Sequence, residues 1–273
     1  MAPPPAPPWP IASPSLERLE AVFSLYRPDS ALCRLNAAGA LDAPPLDLVR
    51  VLGDAAILSA ASDGAFDVTV QPLWRLYAQT LAATGRPPAT PEIEAARHLV
   101  DWRGIEVSPA RIALARPGMA VTLNGLAQGT ISDRVSEMLR RHGFAHALVD
   151  LGEISAPGPH ADLRPWQVAV RDPADHTRTL RRLSLTGGGM ATSEALGSSF
   201  APGGAFGHVL DPASGRPRLE VASVTVRAAS ATLADGLSTA LAVAGPARAG
   251  GILARFPGAT AVLQSADGAV LEF

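Results

Sequence analysis

Asp235 and Thr239 stand four residues apart on a helix expected over residues 234–243, and so share one of its faces. Both offer hard oxygen atoms, and one carboxylate together with phosphate oxygens is a common Mg²⁺ environment. The pair also has a structural reading, in which Asp235 caps the helix and Thr239 bonds back to the carbonyl of residue 235. Upstream, Asn124-Gly125-Leu126-Ala127-Gln128-Gly129-Thr130 joins an expected strand at 121–123 to an expected helix at 131–142. Its glycines let the backbone approach a ligand, and the N–H groups opening the helix suit a phosphate. A tight strand-to-helix turn would look the same.

His208 lies in Gly207-His208-Val209-Leu210-Asp211-Pro212, read as a short strand entering a Pro/Gly turn. An imidazole there can bond a phosphate or take a proton near neutral pH. His98, His142, His146, His160 and His176 are expected at helix ends or in loops facing solvent, and none forms a zinc pattern with a carboxylate. Thr192 and Ser193 follow three glycines, which places hydroxyls beside a flexible backbone, but no nucleophile-elbow pattern surrounds Ser193. Asp67, in Phe66-Asp67-Val68-Thr69-Val70, alternates at strand period with apolar neighbours. It is either a ligand contact or part of an exposed face.

These residues need a scaffold, and the pattern supplies one. Residues 1–14 are proline-rich and read as an extended tail. A helix follows with Ser15 as N-cap and Leu16, Leu19, Val22 and Phe23 as its apolar face, ending near Pro28. A second helix is expected at 46–62, closed by Asp63-Gly64, and then a strand at 66–70. Residues 85–95 read as a loop entering a short helix. Further strands are expected at 147–150, 166–170 and 223–226, with a closing hairpin from 261–263 to 270–271 turning at Asp267-Gly268. This is a mixed α/β or α+β pattern.

Bulk composition narrows the classes. The chain has 273 residues, 47% hydrophobic and 18% charged, as an ordinary globular protein does. A net charge of −2 gives no basis for nucleic-acid or membrane-surface binding. Cys33 is the single cysteine, which excludes an internal disulfide. No apolar run is long enough to span a bilayer.

The order of the motifs resembles one family. Residues 20–26 with Asp29-Ser30-Ala31-Leu32-Cys33-Arg34-Leu35-Asn36 are similar to the opening helix and "S-x-L-x-x-L-N" segment of ApbE proteins. Residues 64–73 resemble "G-x-F-D-x-T-V-x-P-L", and the loop through Asp133 resembles "G-x-A-K-G-x-x-x-D". Val149-Asp150-Leu151-Gly152-Glu153 resembles "V-D-L-G-G", residues 208–215 "H-I-x-D-P-x-T-G", and residues 234–241 "A-D-A-x-x-T-A-L". The similarity runs from residue 15 to the C-terminus.

The resemblance implies an α+β fold of mixed, largely antiparallel sheets with packed helices. Residues 15–273 would form an FAD-binding catalytic domain, its cleft between two subdomains. It implies Mg²⁺ held by Ala127, Asp235 and Thr239, and FAD as substrate contacted by Tyr26, Asn36, Gln128 and Gly129, with Asp67 and Asp133 nearby. Thr192 and Ser193 would belong to the flavin site, and His208 to the transfer step. The implied reaction moves FMN from FAD to a Ser/Thr hydroxyl on an acceptor subunit of an electron-transfer complex, releasing AMP. Hydrolysis of FAD to FMN and AMP, or FAD binding with little turnover, are the alternatives.

Three departures stand out. Gln128 replaces the family's lysine, and Glu153 replaces the second glycine of its turn. The family's export signal and front strand, with its "M-G-T"-like element, are not found ahead of the first helix. A misplaced start is therefore expected. As written the chain would be cytoplasmic, and with its front restored periplasmic.

Overall fold

A computed structural model describes residues 9–195 and 207–273. In chain order its first half comprises α1 (Trp9–Phe23), α2 (Ala31–Ala38), β1 (Ala40–Asp42), α3 (Leu46–Ala61), α4 (Gln71–Thr84), α5 (Thr90–Arg97), β2 (Ile105–Val107), β3 (Arg111–Leu114) and α6 (Ala127–Arg141). There follow β4 (Val149–Asp150), β5 (Ile154–Ala156), β6 (Trp166–Asp172), β7 (Asp175–Leu185), β8 (Gly188–Glu194), β9 (Leu210–Asp211), β10 (Arg216–Pro217), β11 (Val221–Ala228), α7 (Ala231–Ala244), α8 (Pro246–Leu253), β12 (Thr260–Ser265) and β13 (Val270–Glu272).

A six-stranded sheet, ordered β13-β12-β11-β8-β5-β4, carries the fold, and all of its pairings are antiparallel. Its central strand β11 is buried along most of its length, as its valines dictate. Against this sheet lies α7, whose alanines and leucines are buried on nearly every side, so it is an interior helix rather than an amphipathic surface one. Gly236 allows its closest approach: a Cβ there would stand 2.2 Å from Leu58 Cδ1 of α3. A smaller antiparallel sheet, β1-β3-β2, joins this core through Leu41 and Ile112, whereas the hairpin β6–β7 packs in a separate cluster around Leu185 and Met190. The fold is α+β with antiparallel sheets and packed helices, as the sequence implies.

Several expected elements came out differently. Residues 1–8 of the expected tail lie outside the described residues, and the remainder is helical, because α1 begins at Trp9 and includes Pro14. The contacts of Ala12 and Leu16 with Val135 and Leu139 of α6 anchor this added turn. Ser15 is therefore inside the helix rather than its N-cap, with Oγ 3.4 Å from Met138 Sδ. Leu19, Val22 and Phe23 are buried as expected.

Residues 66–70 do not form a strand. Asp67 caps a 3₁₀ turn at Val68–Val70, accepting from Thr69 N (2.8 Å) and Thr69 Oγ1 (2.6 Å), and α4 follows directly. Alternating polarity over five residues cannot distinguish a strand from such a turn when the neighbours bury both faces. Residues 121–123 are likewise extended but unpaired in any sheet. Their backbone is held instead by Asn36, which exchanges two hydrogen bonds with Val121, and by Thr122 N donating to Val68 O. The closing hairpin agrees with its expectation, with Gly268 at φ +87° in its turn.

Candidate active site

Asp235 occupies the second turn of α7 and is 4% exposed. It does not cap that helix. Ser230 does, accepting from Leu233 N, and Asp133 accepts from Ala231 N and Thr232 N at 2.9 and 2.8 Å. Asp235 Oδ2 instead accepts from the backbone N–H of Gly129 at 3.1 Å, where α6 begins. Only glycine fits at 129, since a Cβ would sit 2.4 Å from Ala231 O and 2.9 Å from Asp235 Cβ. One turn further on, Thr239 Oγ1 lies 3.3 Å from Ser193 Oγ, which in turn bonds Ser238 Oγ at 2.7 Å. Gly125 brings its loop against Thr239, as a Cβ there would be 2.9 Å from Oγ1. Two helices and β8 thus converge on one point.

That point opens into a cavity of about 310 Å³ bordered by Gln128, Thr192, Ser193, His208, Asp235 and Thr239. Ala127 opens α6 between two of its wall residues, Gly125 and Gln128. A second cavity, of about 510 Å³, shares Trp74 and Asn124 with the first and is bordered by Tyr26, Asn36 and Gln71. Tyr26 is 84% exposed at its rim. Asn36 spends both ends of its amide on Val121, so it shapes this wall through the backbone it fixes.

Two predicted residues serve the scaffold. Asp67 borders the first cavity, but Oδ1 is taken by Thr69 and Oδ2 accepts from Trp102 N at 3.0 Å. Its carboxyl is pushed up by burial, with the Thr69 and Trp102 bonds opposing. Asp133 is absent from both cavity walls. It caps α7, also accepts from Ser155 Oγ at 2.8 Å, and faces a larger cavity of about 650 Å³ on the other side of α6. Size alone does not identify the site: neither Asp235, Thr239 nor His208 borders that larger space.

Sequence reasoning left Glu153 without a role. It closes the turn between β4 and β5, is 8% exposed, and borders the first cavity. Gly152, at φ +101°, makes room for Gln128, whose Nε2 would lie 2.7 Å from a Cβ there. Burial, and then the charge of Asp235, push the Glu153 carboxyl up to about 8. Burial likewise pushes Asp235 up to about 7, against the Gly129 N–H.

The electrostatics test the fit of a cation. Asp67, Glu153, Glu194 and Asp235 border the first cavity, and among the described residues no arginine does. Buried carboxylates without a countercharge must take up protons or a metal ion. Among the described residues no three or more His, Cys, Asp or Glu side chains converge as a self-sufficient metal cage. A site with few protein ligands suits Mg²⁺, which keeps positions for water and substrate phosphate. Asp235 and Thr239 fit such an ion, with the Ala127 carbonyl at the start of α6.

An α+β protein with paired cavities and an acidic inner wall is thus defined. The ApbE family model matches residues 11–263, and the chain belongs to the ApbE family. It is 33% identical over 252 residues to the FAD:protein FMN transferase of Haemophilus influenzae, an alignment covering 86% of this chain and 71% of that one. The protein of the same name from Treponema pallidum is 32% identical over 271 residues, covering 90% and 74%. Among solved structures, the ApbE protein of Thermotoga maritima superposes with a TM-score of 0.88 at 27% identity, covering 99% of this chain and 91% of that one. The flavin transferase ApbE from Vibrio cholerae gives 0.83 at 27%, covering 100% and 90%.

Proposed function

We propose that this chain is an FAD:protein FMN transferase, using FAD and Mg²⁺ to place FMN on a Ser/Thr hydroxyl of an acceptor subunit in an electron-transfer complex. The supporting observation is an acidic cavity bordered by no arginine among the described residues, which shares Trp74 and Asn124 with a second, larger cavity. Two adjoining cavities suit the two halves of a dinucleotide, and its pyrophosphate enters an acidic wall only with a cation. The names of the relatives point the same way.

In this reading Asp235, Thr239 and the Ala127 carbonyl would hold the ion, and Gln128, Gly129, Tyr26 and Asn36 would contact FAD. When bound there, Mg²⁺ would supply neutralisation of the pyrophosphate charge and of the leaving phosphate. Thr192 and Ser193 line the wall from β8, Ser193 through its contact with Thr239. The acceptor hydroxyl oxygen attacks the phosphorus of the FMN half, and the bond from that phosphorus to the bridging oxygen breaks. AMP departs with that oxygen. His208, on the same cavity wall, takes the hydroxyl proton. A phosphoester between acceptor and FMN remains.

The test is to incubate the chain with FAD, Mg²⁺ and a flavoprotein acceptor domain and to weigh the acceptor. A mass gain equal to the FMN moiety is expected. Free FMN with an unlabelled acceptor would instead show a pyrophosphatase, and intact bound FAD a binder.

A further inference from the structure

Glu153 stands where the resemblance predicts glycine, and Gln128 where it predicts lysine. The two are neighbours: Gln128 lies along Gly152, and both residues border the first cavity. All 23 basic residues of the chain are arginine, and among the described residues none of them reaches this wall. The inner cavity therefore carries one carboxylate more and one ammonium fewer than the family pattern.

Glu153 is also held in place. Its carbonyl accepts from Ser132 Oγ at 2.7 Å, fixing the turn to α6. Its Oε2 accepts from Thr192 N at 3.2 Å, fixing the carboxylate to β8 beside Ser193 and Thr239. Among the described residues Oε1 makes no hydrogen bond, and Glu153 borders the cavity. A carboxylate pinned by one oxygen at the wall of an acidic cavity keeps the other oxygen for a cation.

We infer that Glu153 is a second carboxylate ligand of the cation site, on the same cavity wall as Asp235, and supplies anionic charge that this chain uses to hold Mg²⁺ beside a neutral Gln128. The inference rests on the reading of Asp235 and Thr239 as the ion's site. A neighbouring carboxylate raises the cost of an empty site and the gain on filling it, because the repulsion between Glu153 and Asp235 becomes attraction to a shared divalent ion. A purely structural Glu153, protonated and hydrogen-bonded to Thr192, would do neither.

The two roles separate in Glu153→Gln, which keeps the size and hydrogen-bonding capacity of the side chain and removes its charge. Mg²⁺ alone is titrated calorimetrically into the full chain, into Glu153→Gln and into Asp235→Asn, and each is melted at pH 8 with EDTA or with Mg²⁺. Loss of a metal-site partner is expected to weaken Mg²⁺ binding about 10- to 100-fold in Glu153→Gln. The same variant should melt at an equal or higher temperature than the parent in EDTA, and gain less from Mg²⁺. These opposite signs are what a structural role does not give. Unchanged Mg²⁺ affinity in Glu153→Gln with loss in Asp235→Asn would overturn the role of Glu153 and leave the Asp235 site standing. No binding by the parent, or none lost in Asp235→Asn, would overturn both. Should Glu153→Gln melt lower in EDTA, Glu153→Gly, the residue of the family pattern, is titrated in its place with the same expected weakening.

Discussion

At the scale of single residues, the chain's chemistry depends on buried oxygen atoms whose charge needs a partner. Asp235 is the clearest case: burial disfavours its anion, and only one backbone N–H opposes that. Asp235→Asn keeps the shape and is expected to lower acceptor labelling at least about 100-fold, since several kcal/mol of transition-state stabilisation goes with a bound divalent ion. Labelling at the parental rate would remove Asp235 from the site. His208→Ala is expected to slow labelling by about 10²- to 10⁴-fold, the range of one general base, with FAD binding retained. Equilibrium dialysis with FAD checks the second half of that expectation. Neither assignment was secure in the sequence alone, because Asp235 read equally well as a helix cap. The cap is in fact Ser230, five residues earlier.

At the scale of elements, the site is a consequence of close helix approach. The start of α6 meets α7 only because residue 129 has no side chain. Gly129→Ala would drive a methyl group into the Ala231 carbonyl, and overpacking of this kind costs about 1–3 kcal/mol. Urea unfolding should show that loss, and Mg²⁺ affinity should fall with it because the Gly129 N–H to Asp235 is displaced. A cap tests the opposite wall. Ser30 accepts from Cys33 N at 3.0 Å at the start of α2, the helix that carries Asn36. Ser30→Ala should cost about 1 kcal/mol by the same assay. Because Asn36 holds Val121, the second cavity should loosen with it, and FAD affinity should fall without any change in Mg²⁺ affinity.

At the scale of the molecule, the acidic cavity makes the stability of the fold depend on pH. Glu153 and Asp235 titrate at about 8 and about 7 in the folded chain, above their ordinary values of 4.5 and 3.8. The folded state therefore holds protons that the unfolded state has released. Stability from these groups is full below about pH 4 and is lost as pH rises toward 8. In EDTA the melting temperature should accordingly fall between pH 5 and pH 8. Mg²⁺ should restore more of it at pH 8 than at pH 6, because ions compete with protons for the same oxygens. A flat profile in EDTA would mean that the two carboxyls are not buried together.

The sequence by itself determined the family, through the order of motifs along the chain, and singled out Gln128, Thr192, Ser193, His208, Asp235 and Thr239, which gather at the first cavity. It also carried the long elements, α3, α7 and the closing hairpin, whose signals are local: periodicity, caps and a turn glycine at 268. Tertiary structure decided what each acidic residue does. Asp67 and Asp133 are motif residues, yet their oxygens are consumed by backbone donors at Trp102 and at Ala231, positions 35 and 98 residues away. Glu153 departs from the motif, yet it faces the cavity because Gly152 turns the chain and Thr192 pins its carboxylate. A side chain's type fixes what it can bond, but its partners come from distant segments, and only packing brings them within hydrogen-bonding distance.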